Sequence, residues 1–205
     1  MNTNTDINTD INTGINFLLA GVGGQGVLTS SDIVAEVGLV AGYDAKKSEI
    51  HGFSQRGGVV ESHVRWAERV FSPVSPPGEV DFLIAFEPLE AARWINWLRP
   101  DGVVVVDPHT IDPLSVSSGD LIYPGLADIE ATLLARTKQV TFVQGLEIAG
   151  QLGNPRMANI VLLGTLSNYL DVAVEAWLQV IGQRLKPQYV EANHKAFLEG
   201  RESTV

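Results

Sequence analysis

The 205-residue chain contains no cysteine. That absence excludes disulfides, a thiolate nucleophile, cysteine-ligated zinc and any iron–sulfur cluster built from this chain alone. It leaves the compartment open on cysteine grounds, and a reducing cytoplasm is the expectation. Basic residues are scarce as well: 14 Lys and Arg against 24 Asp and Glu give a net charge of −10. A nucleic-acid surface needs a basic stripe, so no nucleic-acid partner is expected. The longest apolar runs, such as Val103–Val106, are too short to cross a bilayer, so no membrane partner is expected either. The first fifteen residues carry no Lys or Arg and no apolar block, so no secretory signal is expected. The four histidines, His51, His63, His109 and His194, include no pair spaced for a metal on one helix or strand. There is no P-loop, no G-x-S-x-G and no H-E-x-x-H. Neither a metal site nor a catalytic residue is expected.

What is present is globular: 45% hydrophobic residues with 20 Gly and 10 Pro, long enough to bury a core. Residues 1–13 repeat a four-residue unit (Asn4-Thr5-Asp6-Ile7, Asn8-Thr9-Asp10-Ile11) rich in side chains that compete with backbone pairing, and are expected to be a disordered tail. Residues 14–205 are expected to form a single α/β domain. Buried strands are predicted at Ile15–Ala20, Val80–Phe86 and Val103–Val106, with further strands at Val59–Trp66 and Val140–Val143. Arg69–Val74 is a candidate hairpin partner for Val59–Trp66, and Leu121–Pro124 a short strand or an extended segment. Helices are predicted at Val27–Val40 with Gly42 as its stop, from Glu87-Pro88 to Leu98, and at Leu126–Arg136. Four more follow at Leu146–Leu152, Met157–Leu170, Val172–Leu185 and Gln188–Leu198, the last with Gly200 behind it. Apolar strands alternating with helices imply a Rossmann-like, mostly parallel sheet with helices on both faces and a helical C-terminal part packed on one side.

Four segments carry candidate chemistry. Gly21-Val22-Gly23-Gly24-Gln25-Gly26 has G-x-G-x-x-G spacing between a strand and a helix. Gly21, Gly23, Gly24 and Gly26 allow a tight turn and close backbone approach, and the following helix start favours an anion. A dinucleotide also wants an acidic residue about 20 positions on, closing an apolar second strand. Asp44 and Glu49 are available there, but Lys46-Lys47 would be costly in a buried central strand. A free-standing NAD or FAD module is therefore the alternative reading.

The second segment is His51-Gly52-Phe53-Ser54-Gln55-Arg56-Gly57-Gly58. Arg56 supplies a planar fork for carboxylate or phosphate, Ser54 and Gln55 neutral donors, and Gly57-Gly58 exposed backbone amides. In the third, Phe86-Glu87-Pro88-Leu89-Glu90, Glu87 stands at the carboxyl end of a strand, where open α/β sheets bind ligands. It either lines that crevice or caps the next helix. The fourth, Gly153-Asn154-Pro155-Arg156-Met157-Ala158-Asn159, opens a helix apolar all round. Asn159 inside it needs partners: backbone, a ligand or another chain.

These four segments, with Glu191-Ala192-Asn193-His194-Lys195-Ala196-Phe197, together resemble the gamma subunit (or domain) of 2-oxoacid:ferredoxin oxidoreductases, above all the small subunit of the indolepyruvate enzymes. The resemblance runs in order from about Ile15 to Gly200, and G-F-S-Q-R-G-G is its most specific part. It implies a hetero-oligomeric oxidoreductase that decarboxylates a 2-oxoacid on thiamine diphosphate and passes electrons through iron–sulfur clusters to ferredoxin. The product is an acyl-coenzyme A. It also implies that the thiamine and cluster sites lie on a large partner subunit, and that this chain alone binds no cofactor and is inactive. Gly21–Gly26 and Ser54–Gly58 are then expected to line a ligand site shared with that subunit.

Overall fold

Val103, Val104, Val105 and Val106 are all fully buried, which places their strand in a sheet covered on both faces. The computed structural model describes residues 14–51 and 58–203; the repeat of residues 1–13 lies outside them. The chain runs β1 (Ile15–Val22), α1 (Val27–Val40), β2 (Asp44–His51), β3 (Val59–Ala67), β4 (Val80–Ala85), α2 (Pro88–Trp94), β5 (Leu98–Val106), α3 (Leu114–Ser117) and α4 (Leu126–Arg136). It continues through β6 (Val140–Phe142), α5 (Gly145–Gln151), α6 (Ala158–Ser167), α7 (Val174–Arg184) and α8 (Pro187–Glu202). The six strands lie in the order β2-β3-β1-β4-β5-β6. β1, β4, β5 and β6 run parallel, and β2 and β3 add an antiparallel ribbon at one edge.

Side chains alternate across the sheet. Phe17, Leu19, Phe82, Ile84, Val103 and Val105 face one core with α1 and the C-terminal helices α5 to α8. Leu18, Ala20, Leu83, Ala85, Val104 and Val106 face the other, under α2 and α4. The C-terminal helices thus cover one face only, as the sequence predicts. α6 is buried at nine positions from Asn159 to Ser167, the consequence of its all-round apolar character.

Several boundaries differ from expectation. The partner of β3 on its outer side is β2, not Arg69–Val74, which is irregular. The lysines that argue against a buried strand are tolerated because β2 is an edge: Lys47 pairs with Asp32 and Glu49, and Lys46 with Asp44 at 3.3 Å. α2 ends at Trp94 and a 3₁₀ turn, Ile95–Trp97, leads directly into β5, which starts at Leu98. Leu121–Pro124 forms no strand, and a one-turn α3 precedes it.

Gly200 does not end the last helix. It lies inside α8, where a Cβ would sit 2.0 Å from the Val161 carbonyl oxygen; a Cβ on Gly164 would sit 2.0 Å from that of Phe197. The two glycines bring α6 and α8 backbone to backbone. The contact is sealed by Thr165 Oγ1 donating to the Gly200 carbonyl at 2.7 Å and Arg201 Nη1 donating to Ser167 Oγ at 2.6 Å. Gly164→Ala should therefore lower the unfolding free energy in urea by about 2–3 kcal/mol, the cost of forcing buried backbones apart. Gly150→Ala, on an exposed stretch of α5 with nothing within 4 Å of the added carbon, should be neutral or stabilising by a few tenths of a kcal/mol. Equal effects at the two positions would contradict this account.

Candidate functional site

The parallel strands β1, β4 and β5 end together at Val22, Ala85 and Val106, and their carboxyl ends carry the glycine turn. Gln25 organises it. Its Oε1 accepts from the Val22 amide at 2.7 Å, and its Nε2 donates to the Phe86 carbonyl at 2.6 Å. Both ends of the carboxamide are thus used to join the end of β1 to the end of β4. Gly21 lies under this staple, where a Cβ would meet Gln25 Oε1 at 2.9 Å and Phe86 Cβ at 3.0 Å. Gly26 begins α1 in the left-handed region, at φ 83° and ψ 20°, with no side chain capping the helix. A Cβ there would also stand 2.8 Å from Asn159 Nδ2. Asn159, buried at the start of α6, donates through that Nδ2 to Ser30 Oγ at 3.1 Å. A glycine is therefore needed at 26 for two reasons, and among the described residues no side chain caps the first amides of α1.

Gly58, the last residue of the second glycine segment, reaches the same place. The Gly23 amide donates to the Gly58 carbonyl at 2.9 Å, and Val22 is paired with Val59 across the β1–β3 ladder. Ser54, Gln55, Arg56 and Gly57 lie outside the described residues, but both flanks of their segment stand beside the turn: His51 pairs with Val60, and Gly58 holds Gly23.

Gly24 is exposed at the crest of the turn, with three depressions around it. One, of about 490 Å³, lies between the turn, the first turn of α1 and Val60. A second, of about 230 Å³, is lined by Gln25, Phe86, Asp107, His109 and Arg156. A third, of about 380 Å³, opens toward α6 and α8 and is lined by Thr29, Arg156, Asn159, Tyr189 and Asn193. The structure thus brings Gly23, Gly24, Gln25, Gly26, Gly58 and Asn159 together.

Glu87 stands apart from them. It ends β4 as expected, but its carboxylate is engaged by the amides of Glu90 at 3.0 Å and Ile111 at 3.3 Å and by the Tyr123 hydroxyl. It is buried and caps α2, and it lines none of the three depressions. Among the lining residues that the sequence did not single out as site residues are Asp107, Arg156, Tyr189 and Asn193. Asp107 had a positional signal, being the last polar residue after an apolar strand. Burial raises its carboxyl above the ordinary range, against the amides of His109 and Leu146, each donating at 2.9 Å. Arg156 sits inside the Gly153–Asn159 segment. Tyr189 reaches the site only through the fold of α8 and has no local signal, whereas Asn193 stands in the Glu191–Phe197 segment that carries the resemblance.

A glycine turn at converging parallel strand ends, with flanking depressions, defines the class: an α/β domain of the glycine-turn type. The chain belongs to the pyruvate ferredoxin/flavodoxin oxidoreductase family, whose model matches residues 16–203. It is 35% identical over 185 residues to indolepyruvate oxidoreductase subunit IorB of Pyrococcus horikoshii, spanning 89% of this chain and 92% of that one. It is 37% identical over 187 residues to the Archaeoglobus fulgidus subunit of the same name, covering 90% and 92%. Among solved structures, the gamma subunit of the keto/oxoacid ferredoxin oxidoreductase of Geobacter sulfurreducens superposes with a TM-score of 0.67 at 26% identity, covering 92% of this chain and 97% of the other.

Behind the Glu87 cap, Glu90 is 2% exposed and its Oε2 has no hydrogen-bond partner. Burial pushes its carboxyl up to about 7, against the pull of Arg93 at 2.8 Å and with added repulsion from Glu87 and Glu61. The folded state therefore keeps this proton between pH 4.5 and about 7 while the unfolded chain releases it. The stability that the neutral group contributes is full below 4.5 and is lost as the pH rises through 7. Glu90→Gln should raise the unfolding free energy at pH 8 by on the order of 1–3 kcal/mol and change it little at pH 4.5. A gain of the same size at both pH values would contradict the assignment.

Proposed function

We propose that this chain is the small, gamma-type subunit of a 2-oxoacid:ferredoxin oxidoreductase of the indolepyruvate type, and that its glycine turn completes a ligand site on a large partner subunit. The observation that carries this reading is the hydrogen bond from the Gly23 amide to the Gly58 carbonyl, which sets the end of the second glycine segment against the turn, in a chain matched to the family over 16–203. The relatives named above are themselves subunits of oxidoreductases.

The overall reaction converts a 2-oxoacid and coenzyme A to an acyl-coenzyme A and carbon dioxide, releasing two electrons to ferredoxin. Iron–sulfur clusters need thiolates, and the chain has no cysteine. Among the described residues no group of three His, Cys, Asp or Glu is placed to hold a metal ion. The lack of cysteine thus supports assigning the clusters to the partner, and the thiamine diphosphate follows them on the family resemblance. What this chain's own residues offer is anion binding: free amides at the start of α1, the backbone of Gly23 and Gly24, and Asn159 and Gln25 holding that backbone in place. Carboxylate, diphosphate and the phosphates of coenzyme A all suit it. Among the described residues, no helix is long and apolar enough to cross a membrane, in keeping with a cytoplasmic enzyme.

The NAD or FAD alternative has less support. In a dinucleotide fold the strand following α1 lies parallel beside β1. Here that strand is β2, an edge strand that is not beside β1 but is separated from it by the antiparallel strand β3.

The isolated chain should show no ferredoxin reduction with indolepyruvate, pyruvate or 2-oxoglutarate. Co-expressed with a thiamine- and cluster-bearing large subunit, it should co-purify and support coenzyme A-dependent ferredoxin reduction. Turnover by the chain alone, or calorimetric binding of NAD with no association to the large subunit, would overturn the proposal.

A further inference from the structure

We propose that the connection between β5 and α4 is a docking surface for the large partner subunit, which covers Leu114, Leu121, Ile122 and Leu126 with an apolar area rimmed by lysine and arginine. This rests on reading the chain as the small subunit of such a pair, and it says which face makes the contact.

The connection departs from the usual placement of apolar side chains. Leu114, Leu121 and Ile122 are 83%, 62% and 94% exposed, and Leu126, at the start of α4, is 47% exposed. Single apolar residues scattered over a surface need no explanation, but four between 114 and 126 do. Nor does the segment hang loose. The Leu121 amide donates to the Ser115 carbonyl at 2.9 Å, which folds Leu121 and Ile122 back beside α3. The buried carboxylate of Glu87 accepts from the Ile111 amide at 3.3 Å and from the Tyr123 hydroxyl. The Tyr123 oxygen in turn accepts from the Leu89 amide at 3.2 Å. Polar anchors at 111 and 123 thus tie the segment inward, and the apolar residues between them are left in solvent. A segment ordered in advance loses less entropy when a partner docks on it.

Charge says what covers it. From Pro100 to Ala135 there is no Lys or Arg, while Asp112, Asp120 and Asp128 each stand within two residues of one of the four. All three acids are exposed. A second copy of this chain, at net charge −10, would bring the same acids against them. A different subunit with basic residues around an apolar centre complements both features.

Position names the subunit. Leu126 lines a depression of about 470 Å³ with Asp107 and His109. Those two residues also line the 230 Å³ depression beside Gly24 and Gln25. None of the four apolar residues lines the recess of about 380 Å³ toward α6 and α8. The surface is therefore next to the ligand cleft and separate from it, and a subunit that completes the cleft reaches it across Asp107 and His109. Phe71 is as exposed as Leu114 but lies elsewhere. It follows β3 at the end where Trp66 pairs with Ile15, the first residue of β1, and the Arg69 guanidinium lies over its ring at 4.9 Å.

The test measures the affinity of the full chain for the purified large subunit by biolayer interferometry. Leu121→Ser combined with Ile122→Ser removes the apolar centre without altering charge, and should raise Kd at least about thirtyfold. Asp112→Asn combined with Asp120→Asn should raise it about threefold to tenfold and flatten its dependence on salt. Phe71→Ser should leave Kd within about twofold of wild type. The replaced side chains lie in solvent in the free chain, so each variant should keep the wild-type urea midpoint. A readout that needs no variant is amide exchange: residues 111–123 should exchange more slowly in the wild-type complex than in the free chain.

A Kd for the double serine variant within about twofold of wild type, or no slowing at residues 111–123, overturns the proposal. So does a free chain that sediments as a dimer and becomes monomeric in that variant, because a second copy would then cover the surface. An unchanged Kd for the large subunit with a raised KM for ferredoxin overturns it too, giving the surface to the electron acceptor. If the wild-type chain does not bind the large subunit at all, the functional reading falls and this one with it.

Discussion

The structure depends on one contact: the carboxamide of Asn159 against the backbone of Gly26. Gly26 starts α1 with a left-handed backbone, and Asn159 fills the space where a side chain would be while donating to Ser30 on the first turn. A helix normally satisfies its first amides with its own N-cap side chain. Here the neighbouring helix braces the turn from outside, so the brace leaves those amides unused. Gln25 performs the matching task on the sheet side, linking Val22 to Phe86. The turn is thus held by side chains at its flanks and kept bare at its crest, the condition for a backbone anion site that does not collapse on itself.

The rest of the fold keeps Asn159 in position. α6 is sandwiched between the sheet and α8, and its approach to α8 is set by Gly164 and Gly200 touching opposing carbonyls. That approach also carries Tyr189 and Asn193 of α8 to the wall of the recess. A distant pair of glycines therefore helps shape the site, although neither touches it. On the opposite face Glu87, Glu90 and Tyr123 tie α2 to the loop after β5, fixing the carboxyl end of the sheet where Asp107 follows β5.

Much of this was legible from residues alone. α1 and α4 fall on the predicted Val27–Val40 and Leu126–Arg136 because apolar period and terminators agree there. Gly42 ends α1 as expected, its neighbour Tyr43 donating back to the Gly38 carbonyl at 3.0 Å. β2 was hidden because Lys46 and Lys47 are forbidden only in a central strand; an edge position depends on the whole sheet order, which no local pattern reports. Glu87 was open between crevice and cap, and the amide three residues later settles its side chain on the cap. Gly200 read as a stop because its steric partner, Val161, is 39 residues away in sequence, beyond any local window. Gly21–Gly26 and Ser54–Gly58 were expected to share a site; Ser54–Gly57 lie outside the described residues, and the Gly23–Gly58 bond that sets Gly58 against the turn depends on the β1–β3 pairing.

The central claim is that the turn at Gly23–Gly26 is where this subunit meets its ligand. Amide hydrogen exchange of the assembled complex, with and without saturating coenzyme A and 2-oxoacid, tests it most directly. The account predicts slowed exchange together at the first amides of α1 and at residues 154–160, with the α2–α4 face unchanged. Protection confined to other surfaces, with the turn exchanging at the same rate in both states, would contradict it.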